Sequence, residues 1–355
     1  MNFNAFFLRS FRILLFPFAA LYGIGVILRN KLFDKGLMKS TTFNLPIICV
    51  GNLSVGGTGK SPMIEHLAAF LQHKYNVAIL SRGYKRRTKG YVLAGPATTA
   101  LEIGDEPMQF HLRFPGMAVA VGEERVVAIP QLLHDRPDTN LLLLDDAFQH
   151  RAIQAGLNIL LTDYNDLFTR DFFLPTGNLR DQRSSYKRAD IIIVTKCPAA
   201  LRLEEKDALI REIGPSSSQQ VFFTTIGYGT PYHIIHRQER TLQPADEVLL
   251  VTGIANPRPL KQLLNSTVAS YSMLAYADHH IFRIHELEEM RKKIASMHGQ
   301  AYILTTEKDA VRLLKFSDHL ADMPVYVMPV QHEFLFSEAV VFNNKVAAFA
   351  EGFRK

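Results

Sequence analysis

An apolar run, Leu45–Val50, leads into Ser54-Val55-Gly56-Gly57-Thr58-Gly59-Lys60-Ser61, and a helical pattern, Met63–Leu71, follows. Few folds accommodate that succession. Strand, glycine-rich turn, Lys-Ser and helix is the layout of a phosphate-binding P-loop. Its glycines let backbone N–H groups crowd around phosphate oxygens, its lysine adds a point charge, and its serine hydroxyl can bind Mg²⁺. Ser54 stands where the first glycine of G-x4-G-K-[ST] belongs. A bare Gly-rich turn would carry similar letters. The strand before it and the helix after it favour the P-loop, with Gly56, Gly57, Thr58, Gly59, Lys60 and Ser61 as nucleotide contacts.

The alternation continues. Strand-like runs at Leu45–Val50, Val77–Leu80, Ala118–Val121, Asn140–Leu144, Leu157–Leu161 and Asp190–Thr195 are short and continuously apolar, as parallel strands buried on both faces must be. Helical patterns at Pro62–His73, Glu106–Phe114 and Glu123–His134 separate several of them. This predicts an α/β fold with a P-loop NTPase-like parallel sheet, whose ligands gather at the strand C-terminal ends. Val221–Ile226 and Tyr232–His236 are expected to pair as a ribbon, and the polar stretch from Glu239 to Asp246 reads as a linker. A second, smaller α/β pattern begins at Val248 and runs through Pro324–Met328 to a closing helix at Phe334–Phe349. The expected organisation is an N-terminal helix over 1–35, a kinase-like core over 36–236, a linker over 237–247 and a smaller domain over 248–355. A chain of 355 residues has room for two such cores.

Ile13–Leu28 forms sixteen uncharged, mostly apolar residues between Arg9 and Arg12 on one side and Arg29, Lys31 and Lys35 on the other. As a helix it spans about 24 Å, short of a hydrocarbon core of about 30 Å. Pro17, Gly23 and Gly25 weaken a straight span further, and no small-residue cleavage site precedes Lys31. An interfacial or membrane-embedded anchor fits, and a buried core helix is the plainer alternative. Cys49 and Cys197 lie in apolar runs without disulfide or metal spacing, which points to a reducing compartment. A net charge of +6 is compatible with an acidic substrate or an anionic surface and does not point to nucleic acid.

Other motifs narrow the chemistry. Leu141–Leu144 ends in Asp145-Asp146, the pattern of a Walker B strand delivering a carboxylate to Mg²⁺ beside a P-loop. Gly104-Asp105-Glu106-Pro107 opens a helix, so Asp105 is either an N-cap or a base facing the nucleotide. Asp278-His279-His280 follows a strand of the second domain and offers either a cap with an exposed ring or a histidine supporting a carboxylate across a cleft. Arg82, Arg125 and Arg180 follow strands of one sheet, where their planar forks suit phosphate oxygens. Val194-Thr195-Lys196-Cys197-Pro198 lacks the aspartate that reads guanine.

Together these motifs resemble one family, tetraacyldisaccharide 4′-kinase, the lipid A 4′-kinase of Gram-negative bacteria. The resemblance rests on Gly51–Pro62, Leu80–Tyr84, Gly104–Pro107, Leu144–His150, Leu174–Arg180, Gly253–Pro257, Asp278–His280 and Thr305–Asp309, in the family's order. Ala147 replaces a usual glycine and Ser61 a common threonine; neither removes a needed chemical group. The resemblance implies ATP-dependent phosphorylation of the 4′-hydroxyl of a tetraacylated glucosamine disaccharide 1-phosphate, the lipid A precursor. The enzyme would sit on the cytoplasmic face of the inner membrane, with no obligate protein partner. It implies Asp105 as catalytic base supported by His279, and Lys60 and Ser61 on the phosphates and Mg²⁺. Glu106, Asp145 and Asp146 would serve Mg²⁺, and Arg125 and Arg180 phosphate charge. The rivals are a P-loop switch or metallochaperone, which hydrolyses nucleotide to drive a protein partner, and an inactive lipid-binding scaffold.

Overall fold

The computed structural model describes residues 12–297 and 301–353; Arg9 lies outside them, as does His298, where the apolar pattern from Ile284 predicts a helix to end. The larger sheet is built on β1 (Ile47–Asn52), β2 (Val77–Ser81), β4 (Ala118–Val121), β5 (Leu141–Asp145), β6 (Leu157–Asp163), β7 (Ile191–Thr195) and β8 (Gln220–Tyr228), all parallel. Two short strands complete it antiparallel at the edges, β3 (Val92–Leu93) and β14 (Val330–Phe334), giving the order β14-β8-β7-β6-β1-β5-β2-β4-β3. β1, β2, β4, β5 and β7 are buried along their whole length. Alternate residues serve opposite faces: Leu141 and Leu143 join Met63, Ile64 and Leu67 of the P-loop helix, while Leu142 and Leu144 join Ile129 and Leu132. The register sets Val50 against Asp145, so the end of β5 lies beside the exit of β1 into the P-loop.

The smaller sheet has the order β11-β10-β12-β13-β9, with β9 (Tyr232–His233), β10 (Glu247–Thr252), β11 (Ser270–Ala275), β12 (Tyr302–Thr306) and β13 (Val325–Met328). Its own core contains Leu249, Val251, Phe282, Met290, Ile303 and Val327. The chain passes between the sheets twice, from β8 to β9 through Gly229-Thr230-Pro231 and from β13 to β14 through Pro329.

Two sequence expectations change here. The ribbon does not form: β8 pairs with β7 and β14, and β9 pairs with β13, because the Gly229–Pro231 turn carries the chain into the other sheet. β14 was unforeseen, and the closing helix is later than expected, at Ala339–Gly352. It returns to the larger core, where Phe342, Val346 and Ala350 pack with β1 and β6 residues. The N-terminal helix runs Phe16–Asp34, well past Leu28, with Pro17 in its first turn, where its missing N–H is harmless.

That helix is buried along one stripe, Ala19, Gly23, Asn30 and Phe33. Gly23 allows close approach, since a Cβ there would stand 2.7 Å from Phe173. Asn30 donates to Asp181 at 2.7 Å, and Arg151 pairs with Asp34 at 2.6 Å. The other side bears Phe18, Leu21, Ile24 and Leu28, each more than half exposed.

Candidate active site

The P-loop lies between β1 and the helix Lys60–Leu71. Gly56 and Gly59 have φ of 116° and 86°, left-handed conformations that other residues rarely adopt. Two side chains from distant strands hold the loop's carbonyls. Thr195 donates to the Thr58 carbonyl at 2.9 Å. His332 on β14 reaches the Gly59 carbonyl through Nε2 at 2.8 Å, while its Nδ1 meets the Thr224 hydroxyl at 2.9 Å. Desolvation of the ring pushes the His332 pKa down to about 4, so it is neutral at pH 7. A neutral ring facing a carbonyl must carry its proton on Nε2, which leaves Nδ1 to accept from Thr224.

The acidic pair at the end of β5 divides into two environments. Asp145 is 1% exposed; its Oδ2 accepts from Ser81 at 2.8 Å and its Oδ1 has no protein partner. Burial, then the neighbouring charges of Glu106 and Asp146, push its pKa up to about 7. Asp146 has φ of 47° and is clasped by Arg180 through both oxygens, at 2.7 and 3.1 Å, with Lys60 at 3.6 Å. Burial works against ionisation there, but Lys60 and Arg180 outweigh it and hold the carboxyl well below the usual range. Asn52 ties the group together, accepting from both Lys60 and Arg180.

An unpartnered buried oxygen beside a serine-bearing P-loop fits a divalent cation. Among the described residues no three His, Cys, Asp or Glu side chains form a ready-made cage. Mg²⁺ rarely uses one, taking one or two carboxylates, nucleotide phosphates and waters. Asp145 is therefore the stronger ligand candidate, since both oxygens of Asp146 are spent on cations.

Arg125 departs from the expected phosphate role. It is 1% exposed and donates to the carbonyls of Gly122 at 2.7 Å, Glu123 at 3.3 Å and Asp145 at 3.3 Å. Burial lowers its pKa to about 10. Its place is behind the acidic strand end, where it fixes the Asp145 backbone. Arg180 does face the loop.

Asp105 and Glu106 form the first turn of the helix Asp105–Arg113. Asp105 Oδ2 lies 3.2 Å from His279 Nδ1, and Arg312 donates to the same oxygen from Nη2 at 2.6 Å and Nε at 3.0 Å. Glu106 accepts from Lys308 at 3.2 Å. The two histidines after β11 split their work. His280 bonds Glu286 at 2.8 Å and stacks on Tyr276, whereas His279, at φ of 62°, turns toward Asp105.

The predicted residues are linked across the two domains: Lys60 of the P-loop contacts Asp146, Glu106 acts electrostatically on the adjacent Asp145, and His279 of the smaller domain contacts Asp105, while Arg125 is turned away onto carbonyls. Sequence reading gave Asn52 and Ser81 no role, although both lie in motifs it used, and passed over His332 and Arg312. Asn52 and Ser81 end strands of the parallel sheet, a position that could have marked them.

The family model for tetraacyldisaccharide-1-P 4′-kinase (LpxK) matches residues 11–349. The chain belongs to that family. A tetraacyldisaccharide 4′-kinase of Flavobacterium johnsoniae is 47% identical over 91% of this chain and 93% of its own length. One from Bacteroides fragilis is 41% identical over 94% and 92%. LpxK from Aquifex aeolicus, crystallised in complex with ATP, superposes with a TM-score of 0.75 at 26% identity, covering 96% of this chain and 99% of that one. Kinase membership agrees with a site in which the lysine contacts the acidic strand end and Glu106, next to the candidate base, acts on the same strand end.

Proposed function

We propose that this kinase transfers the γ-phosphoryl group of ATP to the 4′-hydroxyl of a tetraacylated glucosamine disaccharide 1-phosphate, working at the cytoplasmic face of the inner membrane. The observation that supports the site assignment best is Asp105. It opens a helix at the cleft, is contacted from the second domain by His279, and stands one residue from Glu106, whose charge reaches Asp145.

Phosphoryl transfer demands positioning and charge neutralisation more than covalent help from the protein. P-loop N–H groups and Lys60 would hold the β- and γ-phosphates. Asp105 would orient the sugar hydroxyl and take its proton as the bond from O4′ to the γ-phosphorus forms. The bond to the β,γ-bridging oxygen breaks, and ADP leaves with that electron pair. Mg²⁺ bound with the nucleotide would neutralise phosphate charge, held by Asp145 and Ser61 with Glu106 nearby. Arg180, paired with Asp146, would add positive charge beside Lys60.

The N-terminal helix suits a substrate that stays in a bilayer. It is long and apolar enough to cross a membrane, yet one stripe is fixed to the catalytic domain. A helix so tied favours lying against the surface with its apolar side in the acyl region and Arg12 and Arg29 near headgroups.

The test is transfer of labelled γ-phosphate from ATP to the disaccharide 1-phosphate in detergent micelles. The parent protein labels the lipid. Asp105→Ala does not, although it binds ATP. Phosphate release without lipid labelling would favour a nucleotide-driven switch, and full turnover by Asp105→Ala would remove that residue from the base role.

A further inference from the structure

The Thr305–Asp309 motif has no role in the reaction as described so far, and the residue three beyond it, Arg312, sits against the candidate base. From this placement we infer that Arg312 is a positioning residue: it reaches from the second domain to aim Asp105 and to fix the tautomer of His279. The inference deepens the kinase reading and rests on Asp105 being its base.

A guanidinium only donates hydrogen bonds. Arg312 Nη2 lies 3.0 Å from His279 Nδ1; with that nitrogen accepting from the arginine, the ring proton sits on Nε2. His279 Nδ1 and Asp105 Oδ2, 3.2 Å apart, are then two acceptors joined by one shared donor, Nη2. The link between histidine and carboxylate runs through Arg312. Both donors to Asp105 among the described residues, Nε and Nη2 of Arg312, fall on Oδ2. Oδ1 is left for a substrate hydroxyl, and two donors on its neighbour set where it points. Such an ion pair does not disable the carboxylate. In a loose phosphoryl-transfer transition state the base chiefly orients the nucleophile, and strong basicity is not demanded of it.

The arginine is itself well mounted. It is 8% exposed, and Nη1 faces Asp309 Oδ1 at 3.4 Å. Asp309 is fully buried, and its Oδ2 accepts from Thr306 Oγ1 at 2.7 Å, Gly253 N at 3.0 Å and Thr252 Oγ1 at 3.1 Å. Those bonds tie the Thr305–Asp309 turn to the Gly253 loop. Neighbouring residues already dock the domains: Glu307 accepts from Arg113 at 2.8 Å, and Lys308 donates to Glu106. Docking alone has these two ties; Arg312 adds a two-point hold on one oxygen.

The experiment compares Arg312→Gln and Arg312→Lys with the parent in lipid phosphorylation, equilibrium ATP binding and thermal melting. A misaimed reacting group costs about 100-fold. The expected result for Arg312→Gln is therefore a kcat about 100-fold lower, with ATP affinity and melting temperature close to the parent's. Arg312→Lys should recover part of that loss, because it restores charge but not the fork, and it carries the test should the glutamine variant misfold. A kcat within threefold of the parent for both variants, while Asp105→Ala is inactive, would overturn the inference and leave the kinase reading intact. So would a fall in kcat matched by equal falls in ATP affinity and melting temperature, which marks a merely structural residue. Full turnover by Asp105→Ala would instead sink the base assignment.

Discussion

Replacing His332 with phenylalanine isolates the support under the P-loop. The phenyl ring is no smaller than the imidazole, so no cavity term enters. Two contacts disappear, Nε2–H to the Gly59 carbonyl at 2.8 Å and the Thr224 hydroxyl to Nδ1 at 2.9 Å. A buried polar group left unpaired costs about 1–3 kcal/mol. The Thr224 hydroxyl can rotate to another partner, so the stranded Gly59 carbonyl sets the total, about 1–3 kcal/mol. The loop can relieve the stranded carbonyl by turning the peptide between Gly59 and Lys60, which misaligns N–H groups needed for phosphate. Much of the penalty should then appear in binding. At 1.4 kcal/mol per tenfold, ATP affinity is expected to fall about 5- to 100-fold, with little change in secondary structure. His332→Gln, whose amide can donate to the same carbonyl, should lose much less. Equilibrium ATP binding and thermal melting measure both variants. If His332→Phe binds ATP within twofold of the parent, β14 does not brace the loop and the reasoning fails.

Three further outcomes follow from the same geometry. Glu65 lies 3.6 Å from Arg113, which also pairs with Glu307; burial first, and then Glu307, push the Glu65 pKa up to about 8 against the opposing pull of Arg113. A folded pKa above the unfolded one gives stability that is present below about pH 4.5 and lost as pH rises through about 8. Glu65→Gln should therefore melt higher than the parent at pH 8.5, by about 3 °C, and the gap should shrink toward pH 5 in parallel melts. Leu21→Asp with Ile24→Asp removes two exposed apolar side chains, each worth about 1.5–3 kcal/mol when buried, so vesicle partitioning should drop by about 100-fold or more. Turnover of detergent-dispersed substrate should persist, and retention on vesicles would place anchoring elsewhere. Asp145→Asn should abolish the Mg²⁺ enhancement of ATP binding while leaving metal-free ATP binding within a few-fold, as titrations with and without the cation would show.

Much of the site was readable because its parts are local. A Gly-rich turn between strand and helix, a leucine strand ending in two aspartates and an acidic residue opening a helix each carry their chemistry within a few neighbouring residues. The resemblance then ordered them. What the residues alone left open was the division of labour within each pair. Asp145 and Asp146 are adjacent and identical in type, yet one is left with a bare buried oxygen and the other is clasped by Lys60 and Arg180. Arg125 and Arg180 both follow strands of one sheet, yet one is turned inward onto carbonyls. Such outcomes depend on which neighbours reach a side chain from other strands.

The order of apolar runs, the glycine turn and the N-terminal apolar helix settled a parallel α/β core with a phosphate loop, since burial and backbone sterics act over short stretches. The tertiary structure decided where Val330–Phe334 and Arg312 belong. Five residues reading Val-Gln-His-Glu-Phe become the sheet's edge only because the chain returns through Pro329, and that return delivers His332 to the loop. Arg312 is one more basic residue on a short helix until the second domain sets it against Asp105. Contacts made between residues hundreds of positions apart leave no periodicity to read, because their energy is realised only when the two domains meet.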